Sequence, residues 1–256
     1  MKHIHRFFVL QPLTAGERVL LGEEDSFHAA RVLRLKEGDA IELADADGRV
    51  FEAEIAGIGD GKGVVEARTR EELAPVGEAG GLNAPGLTVA QALPGGRKMD
   101  LIAEKLSEIG AARLVPVISQ KSVAGEGRGW SRKTERWRRV ARAAATQSKR
   151  SRIMEVEVPV PLGDWLEDFE GRPLVLATEV KGKPLGEAVM EVANEGGTDR
   201  DLTLVIGPEA GFAGEEIDIL TQHEAVFVSL GQLVLRTETA ALVAAAVVMH
   251  RLGMIG

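Results

Sequence analysis

The 256-residue chain contains no cysteine. That absence removes disulfides, thiolate metal ligands and cysteine nucleophiles together, and it fits a reducing compartment. Histidine is scarce, and His3, His5, His28, His223 and His250 show no H-E-x-x-H spacing, so no metal is expected. Long apolar runs are missing too. The run Phe7 to Leu10 is shorter than the roughly 7–15 residues of a signal-peptide core. The run Ala240 to Met249 is half of the roughly 20 residues that a spanning helix requires. A soluble, cytoplasmic protein with no membrane partner is the expectation. Two nucleotide-binding fingerprints are absent as well, G-x-G-x-x-G and G-x-x-x-x-G-K-[ST].

The length suits one large or two modest domains with a buried core. Hydrophobic (45%) and charged (27%) fractions are ordinary for a folded globular chain. Net charge is −8, which alone argues against nucleic-acid binding. Its distribution argues otherwise: Arg128 to Arg152 holds ten Lys/Arg and one acid, Glu135. A basic stripe on an acidic chain is a local footprint for a polyanion. On charge alone, a solvated helix face paired with acids elsewhere explains it equally well.

Residues 1 to about 70 read as short β segments, "RVLL", "AIELAD", "RVFEAEIAGI" and "GVVEA", separated by turns such as "DADG" and "GDGKG". "DSFHAARVLRLKEGD" reads as a short helix or turn between the first two. This spacing predicts a small barrel. The Gly/Pro/Ala/Glu-rich stretch that follows suits a linker, so the expected division is a β domain over 1–75, a linker over 76–86 and a second domain over 87–256. From Leu87 short apolar runs alternate with helical periods, which predicts a largely parallel sheet covered on both faces.

Ligands of open parallel sheets bind in loops beyond the carboxyl ends of strands. Two such loops stand out. "LVIGPEAGFAGEEI" offers glycines for unusual backbone angles and close ligand approach. "VSLGQLVLRTETAALVAAAVVMH" runs from a strand through a loop into an almost wholly apolar helix, with Thr237 as expected N-cap and Glu238 in the first turn. Arg236 is placed against the helix dipole, which hints at a functional task or a partner carboxylate. The apolar helix is expected in a core or subunit interface. In "KMDLIAEKLSEIG", Met99, Ile102, Leu106 and Ile109 form an apolar stripe, Lys98 and Lys105 share another face, and Asp100, Glu104 and Glu108 form an acidic row. In "RKTERWRRVARAAATQSKR", Lys133, Trp137, Val140 and Ala144 are expected on one side and Arg132, Arg136 and Arg139 on another. Thr146 to Arg150 then supply donors suited to phosphate and sugar.

Four segments, "KMDLIAEKLSEIGA", "TQSKR", "IGPEAGF" and "LGQLVLRTETAA", follow a small β domain beginning "HRFFV". Together they resemble the RsmE family, 16S ribosomal RNA uridine-N3 methyltransferases of the SPOUT class. The resemblance covers essentially the whole chain. It implies an α/β catalytic domain with a trefoil knot, rare among folds, behind a PUA-like β-barrel that binds RNA. It implies a homodimer acting on 16S rRNA in the small ribosomal subunit at the uridine-1498 type of site, with S-adenosyl-L-methionine as cofactor and no metal. The cofactor residues it implies are Thr178, Glu179, Gly207, Pro208, Glu209, Gly211, Phe212, Leu230, Gly231, Leu233, Leu235, Arg236 and Thr239. RNA contacts map onto Arg6, His28, Arg31, Arg34, Lys98, Lys105, Arg132, Arg136, Arg139, Gln147, Ser148, Lys149 and Arg150. The expected catalytic group is Arg236, with Glu238 or Glu209 orienting it or taking the proton. The chain departs from the family at Ala210, where glycine is usual, so an ordinary backbone angle is expected there. Thr146, where the family often has Glu, is given no role. The alternatives are a non-catalytic RNA-binding or ribosome-assembly protein, a ribose 2′-O-methyltransferase of the same class and, more distantly, a nicotinamide enzyme.

Overall fold

The computed structural model describes residues 4–59, 63–73, 86–122, 129–196 and 201–255. His3, Arg128 and all but Gly86 of the expected linker lie outside them. The chain divides into two units, Met1–Leu82 with Ala145–Arg152, and Asn83–Ala144 with Ile153–Gly256.

In the first unit, strands β1 (His5–Phe8), β2 (Arg18–Leu20), β3 (Ala40–Ala44), β4 (Val50–Ile58) and β5 (Val65–Leu73) form one sheet in the order β1-β3-β4-β5-β2. Alternation places Phe7, Ile41, Leu43, Phe51, Ile55 and Val65 in one core. The "DADG" turn closes on buried Asp45, which accepts the amides of Leu13, Asp47 and Arg49 and pairs with the Arg49 guanidinium at 2.7 Å. Between β2 and β3, α1 (Glu23–Phe27) runs into a π-helical turn, His28–Val32.

In the second unit, strands β6 (Leu87–Ala92), β7 (Arg113–Ile118), β8 (Glu155–Val156), β9 (Val160–Pro161), β10 (Leu174–Leu176), β11 (Lys183–Pro184), β12 (Leu202–Ile206) and β13 (Val226–Ser229) pair in parallel throughout. Their order is β11-β13-β10-β12-β6-β7-β8, with β9 beside β7. The helices are α2 (Lys98–Ile109), α3 (Trp130–Gln147, from Ala145 on counted with the first unit), α4 (Leu162–Glu167), α5 (Leu185–Gly196), α6 (Gly214–Gln222) and α7 (Thr237–Arg251). Strand residues of one parity, Leu87, Val89, Leu114, Leu174, Leu204 and Ile206, join a core with α2, α3, α5 and α7. Those of the other parity, Ala90, Ala92, Val115, Val117, Val175 and Val205, pack with α4 and α6. Both faces are therefore dry, and each such Leu or Val contributes roughly 1.5–3 kcal/mol of burial.

On α2 the apolar stripe is buried at Met99, Ile102 and Leu106. On α3 the buried side is Thr134, Trp137, Ala141 and Ala144. Lys133, expected there, is exposed and lies over the Trp130 ring at 4.3 Å, because a cation keeps its head in water. The short elements β1, α4, β8, β9 and β11 were not distinguished in the sequence, being too brief for a period to register. Among the described residues no helix is long and apolar enough to cross a membrane, and no cluster of three or more His, Asp or Glu could hold a metal ion.

Candidate functional site

Neighbouring strands β13, β10 and β12 end together, and the three loops that leave them enclose a cavity of about 640 Å³. Ala177 to Gly182, Gly207 to Glu209 with Gly211, and Leu230 to Arg236 supply its walls, and Thr237 and Ala240 of α7 close one side. The volume falls within the range of about 300–1,000 Å³ usual for cofactor pockets.

Two glycines make this geometry possible. Gly211 has φ +70, and a Cβ added to it would lie 1.2 Å from Glu179 Oε1. Both its backbone angle and its missing side chain are needed. Gly182 lets its segment pass β13 so closely that an added Cβ would meet the Val228 backbone at 2.4–2.6 Å. Ala210 is not among the residues with positive φ, so its side chain costs no backbone strain, as expected at this departure from the family.

The loop after β12 is tied at both ends. Gly207 N–H donates to Leu176 O at 3.1 Å, and Gly211 N–H closes a turn onto Pro208 O at 2.9 Å. Thr237, the expected N-cap, is not the cap: Arg236 occupies that position and Thr237 begins the helix. Its buried hydroxyl donates instead to Gly207 O at 2.8 Å and accepts from Gln91 Nε2 at 3.0 Å. A tertiary partner outcompetes the local one. Gln91 Oε1, buried at the end of β6, has no hydrogen-bond partner among the described residues.

Of the expected cofactor residues, the cavity gathers Thr178, Glu179, Gly207, Pro208, Glu209, Gly211, Leu230, Gly231, Leu233, Leu235 and Arg236. Phe212 and Thr239 do not line it. Phe212 is 1% exposed, packs in the α4–α6 core and supports Gly207 from behind. Thr239 is exposed on a different side of α7, since residues 236, 237 and 240 fall on the cavity side at helical spacing. Gln232 and Val234, inside the expected Leu230–Arg236 loop, also line the cavity, as do Lys181, Gly182 and Ser229, which were not singled out in the sequence. The run from Glu179 through Val180 and Lys181 into Gly182 was the signal available.

Arg236 is exposed at the cavity and makes no ion pair among the described residues. Neither Glu209 nor Glu238 holds it. Both turn to Lys98, at 2.8 Å from Glu209 and 3.5 Å from Glu238. Burial pushes the Glu209 carboxyl up, but the Lys98 hydrogen bond, backbone amides and the Lys98 charge outweigh it and hold it below the usual range. The same Glu209 hydrogen bond raises Lys98. A carboxylate so held is a weak proton acceptor.

The expected RNA contacts separate into engaged and open groups. Arg6 is 5% exposed. It pairs with Glu42, its neighbour across the β1–β3 ladder, at 2.8 Å and donates to Lys149 O. Its role is internal, which corrects the expected surface contact. Lys98 is committed as described, Lys105 to Glu104 (2.8 Å) and Glu108 (2.7 Å), and Arg136 to Asp100. Ser148 and Arg150 are half-buried, and Lys149 lies 3.6 Å from Glu42. His28, Arg31, Arg34 and Gln147 are exposed, as are Arg132 and Arg139, which have no ion pair among the described residues.

The chain's similarities point the same way. Residues 82–249 match the model of an RNA methyltransferase domain, and residues 14–67 that of an RNA methyltransferase PUA domain. A parallel sheet with a cavity at its strand ends, joined to a PUA domain, defines the class: an RNA methyltransferase. Ribosomal RNA small subunit methyltransferase E of Mycobacterium bovis is 33% identical over 91% of this chain and 86% of its own. The protein of the same name from Bacillus subtilis is 30% identical over 89% and 88%. A structure described as a methyltransferase from Legionella pneumophila with SAM bound superposes with TM-score 0.80 at 26% identity, covering 97% of this chain and 98% of that one. The chain belongs to the RsmE family.

Proposed function

We propose that the protein methylates N3 of one uridine in small-subunit ribosomal RNA, using S-adenosyl-L-methionine. The carrying observation is the cavity formed by three loops at the ends of adjacent parallel strands. Its donor set suits that cofactor. Among the described residues, the amides of Gln232 to Arg236 have no acceptor within the chain, which leaves them open to a ring edge. Leu230, Leu233, Leu235 and Ala240 offer apolar surface, and Glu179 offers negative charge to a cation.

When bound, the cofactor supplies an electrophilic methyl group on a sulfonium. The residues have mainly to orient the reactants for in-line displacement. Uracil N3 is a poor nucleophile until its proton is lost, and negative charge then develops on the ring oxygens. Arg236, unpaired at the cavity, is placed to stabilise that charge. With Glu209 and Glu238 both engaged by Lys98, the proton is left to water.

The resemblance extends the proposal. A homodimer would cover the outer face of α7, where Val243 is 39% exposed beside an apolar groove that also includes Leu185, Leu230 and Val247. The trefoil knot is consistent with the tight passage of Gly182 past Val228. A cytoplasmic location fits the absence of cysteine.

The test is methyl transfer from labelled S-adenosylmethionine to small subunits lacking the modification, with nucleoside mass spectrometry. 3-Methyluridine at one site is expected. A ribose-methylated nucleoside would replace this reading with the 2′-O alternative. Cofactor binding without transfer would point to a different RNA or assembly state, and neither binding nor transfer would favour the non-catalytic reading.

A further inference from the structure

We infer that Lys98 is the positioning residue of the cofactor loop, one ammonium shared between Glu209 at the loop's tip and Glu238 in the first turn of α7. The inference rests on the methyl-transfer reading above. It changes the task of all three residues, since the sequence suggested RNA for Lys98 and catalysis for the two acids.

The geometry joins three elements that are far apart in the chain. Lys98 opens α2, and its Nζ lies 2.8 Å from Glu209 Oε1 and 3.5 Å from Glu238 Oε2. The Gly95 amide, 3.4 Å from the same Glu209 oxygen, adds a weaker tie. Glu238 Oε2 is buried and has no hydrogen-bond partner among the described residues, so Lys98 is the charge that compensates it. Removing the ammonium would leave two carboxylates on one small, partly desolvated spot. They would repel, and the movable partner is the loop.

The rest of that loop is fixed by other means. Thr237 holds Gly207 O, and the Gly211 amide closes the turn on Pro208. Glu209 lies between these ties and lines the cavity, so its side-chain anchor sets where the tip presents its backbone. The raised Lys98 and lowered Glu209 agree with a standing ion pair. A lysine reserved for RNA phosphate would not already be shared by two acids.

The experiment compares full-length Lys98→Met, Lys98→Arg, Glu209→Gln and the Lys98→Met/Glu209→Gln double variant with wild type. Calorimetry gives dissociation constants for S-adenosylmethionine and S-adenosylhomocysteine, and a ribosomal RNA fragment is titrated at several salt concentrations. For a pair one-third exposed, about five- to tenfold weaker cofactor binding is expected in Lys98→Met. Lys98→Arg should restore most of it, and the double variant should fall short of the product of the single effects. The salt slope of RNA binding should stay unchanged.

Unchanged cofactor affinity with a salt slope reduced by about one would overturn the inference and return Lys98 to the phosphate backbone. If Lys98→Met does not fold, Glu238→Gln removes one arm of the clamp, and unchanged cofactor affinity there overturns it equally. Wild type, assayed for binding and transfer in the same series, reports on the methyl-transfer reading by itself.

Discussion

The loops beyond β10, β12 and β13 and the exposed face of α3 both read as functional in the sequence, but they are built on opposite principles. The loops owe their shape to backbone: Gly211 at φ +70, Gly182 against Val228, and amides from Gln232 to Arg236 left open among the described residues. The helix carries ten-to-one basic excess together with its flanks, yet much of that charge is spent within the fold. Arg136 pairs with Asp100, and Arg138 with Glu135 and the Val156 carbonyl. Counting charges therefore overstates a polyanion site, while a short glycine-containing motif understates a pocket. The reason is geometric, because a charge can find any neighbour whereas a left-handed backbone angle fits one place.

The sharpest way to test the backbone half of this contrast is Gly211→Ala. Two penalties act together, about 1–2 kcal/mol for left-handed φ and a Cβ placed 1.2 Å from Glu179 Oε1. Cofactor binding should weaken by on the order of 100-fold in calorimetry, with the circular dichroism of the fold retained. Measured against Glu179→Ala alone, the Gly211→Ala loss should shrink, because the clash is gone and only the φ penalty is left. A loss that vanishes there would mean that sterics alone matters; an unchanged loss would place the whole effect in the backbone.

Arg236→Ala tests whether the open guanidinium at the cavity side of the α7 N-terminus is chemical. A drop in kcat on the order of 100-fold is expected, in line with loss of one charge-stabilising donor. Folding and cofactor affinity should change far less. Near-normal turnover would remove Arg236 from the mechanism and leave the loops as a binding device.

How much of this was legible follows from where each constraint acts. The parallel sheet, dry on both faces, follows from the short apolar runs that alternate with helical periods after Leu87. "IGPEAGF" and "LGQLVLRTETAA" marked two of three cavity walls because their constraints are local. Thr237 was misread as a cap because its true partner is the Gly207 carbonyl, 30 residues earlier. The Lys98–Glu209 pair was not legible because the two lie 111 residues apart, and no helical period reports such a pair. Arg6 failed for the same reason, since Glu42 meets it only through the β1–β3 register. Long-range polar pairing is the part a pattern cannot show.

Thr237→Val keeps the shape of that buried residue and removes its hydroxyl. Gly207 O and Gln91 Nε2 would each lose a partner, which should cost about 1–3 kcal/mol in urea unfolding. The cofactor loop should loosen at the same time, seen as weaker S-adenosylhomocysteine binding. Unchanged stability would mean that water replaces the hydroxyl, and the loop would then owe its place to Lys98 and Gly211 alone.

The smallest effect tests the charged half of the contrast. Arg139 has no ion pair among the described residues, whereas Arg136 is held by Asp100. If α3 tracks an RNA backbone, each phosphate contact adds about 0.7–0.9 to the slope of log K against log salt. Arg139→Ala should therefore lower the slope by about one contact, and Arg136→Ala by less, since that guanidinium must first leave its carboxylate. The affinity changes at moderate salt would be only a fewfold, so the slope is the quantity to measure. Equal reductions would show that the Asp100 pair opens freely and that charge counting is sufficient for this helix. No reduction from either would move RNA binding off α3, leaving its basic face as a solvated surface and the contrast with the loops as the stronger for it.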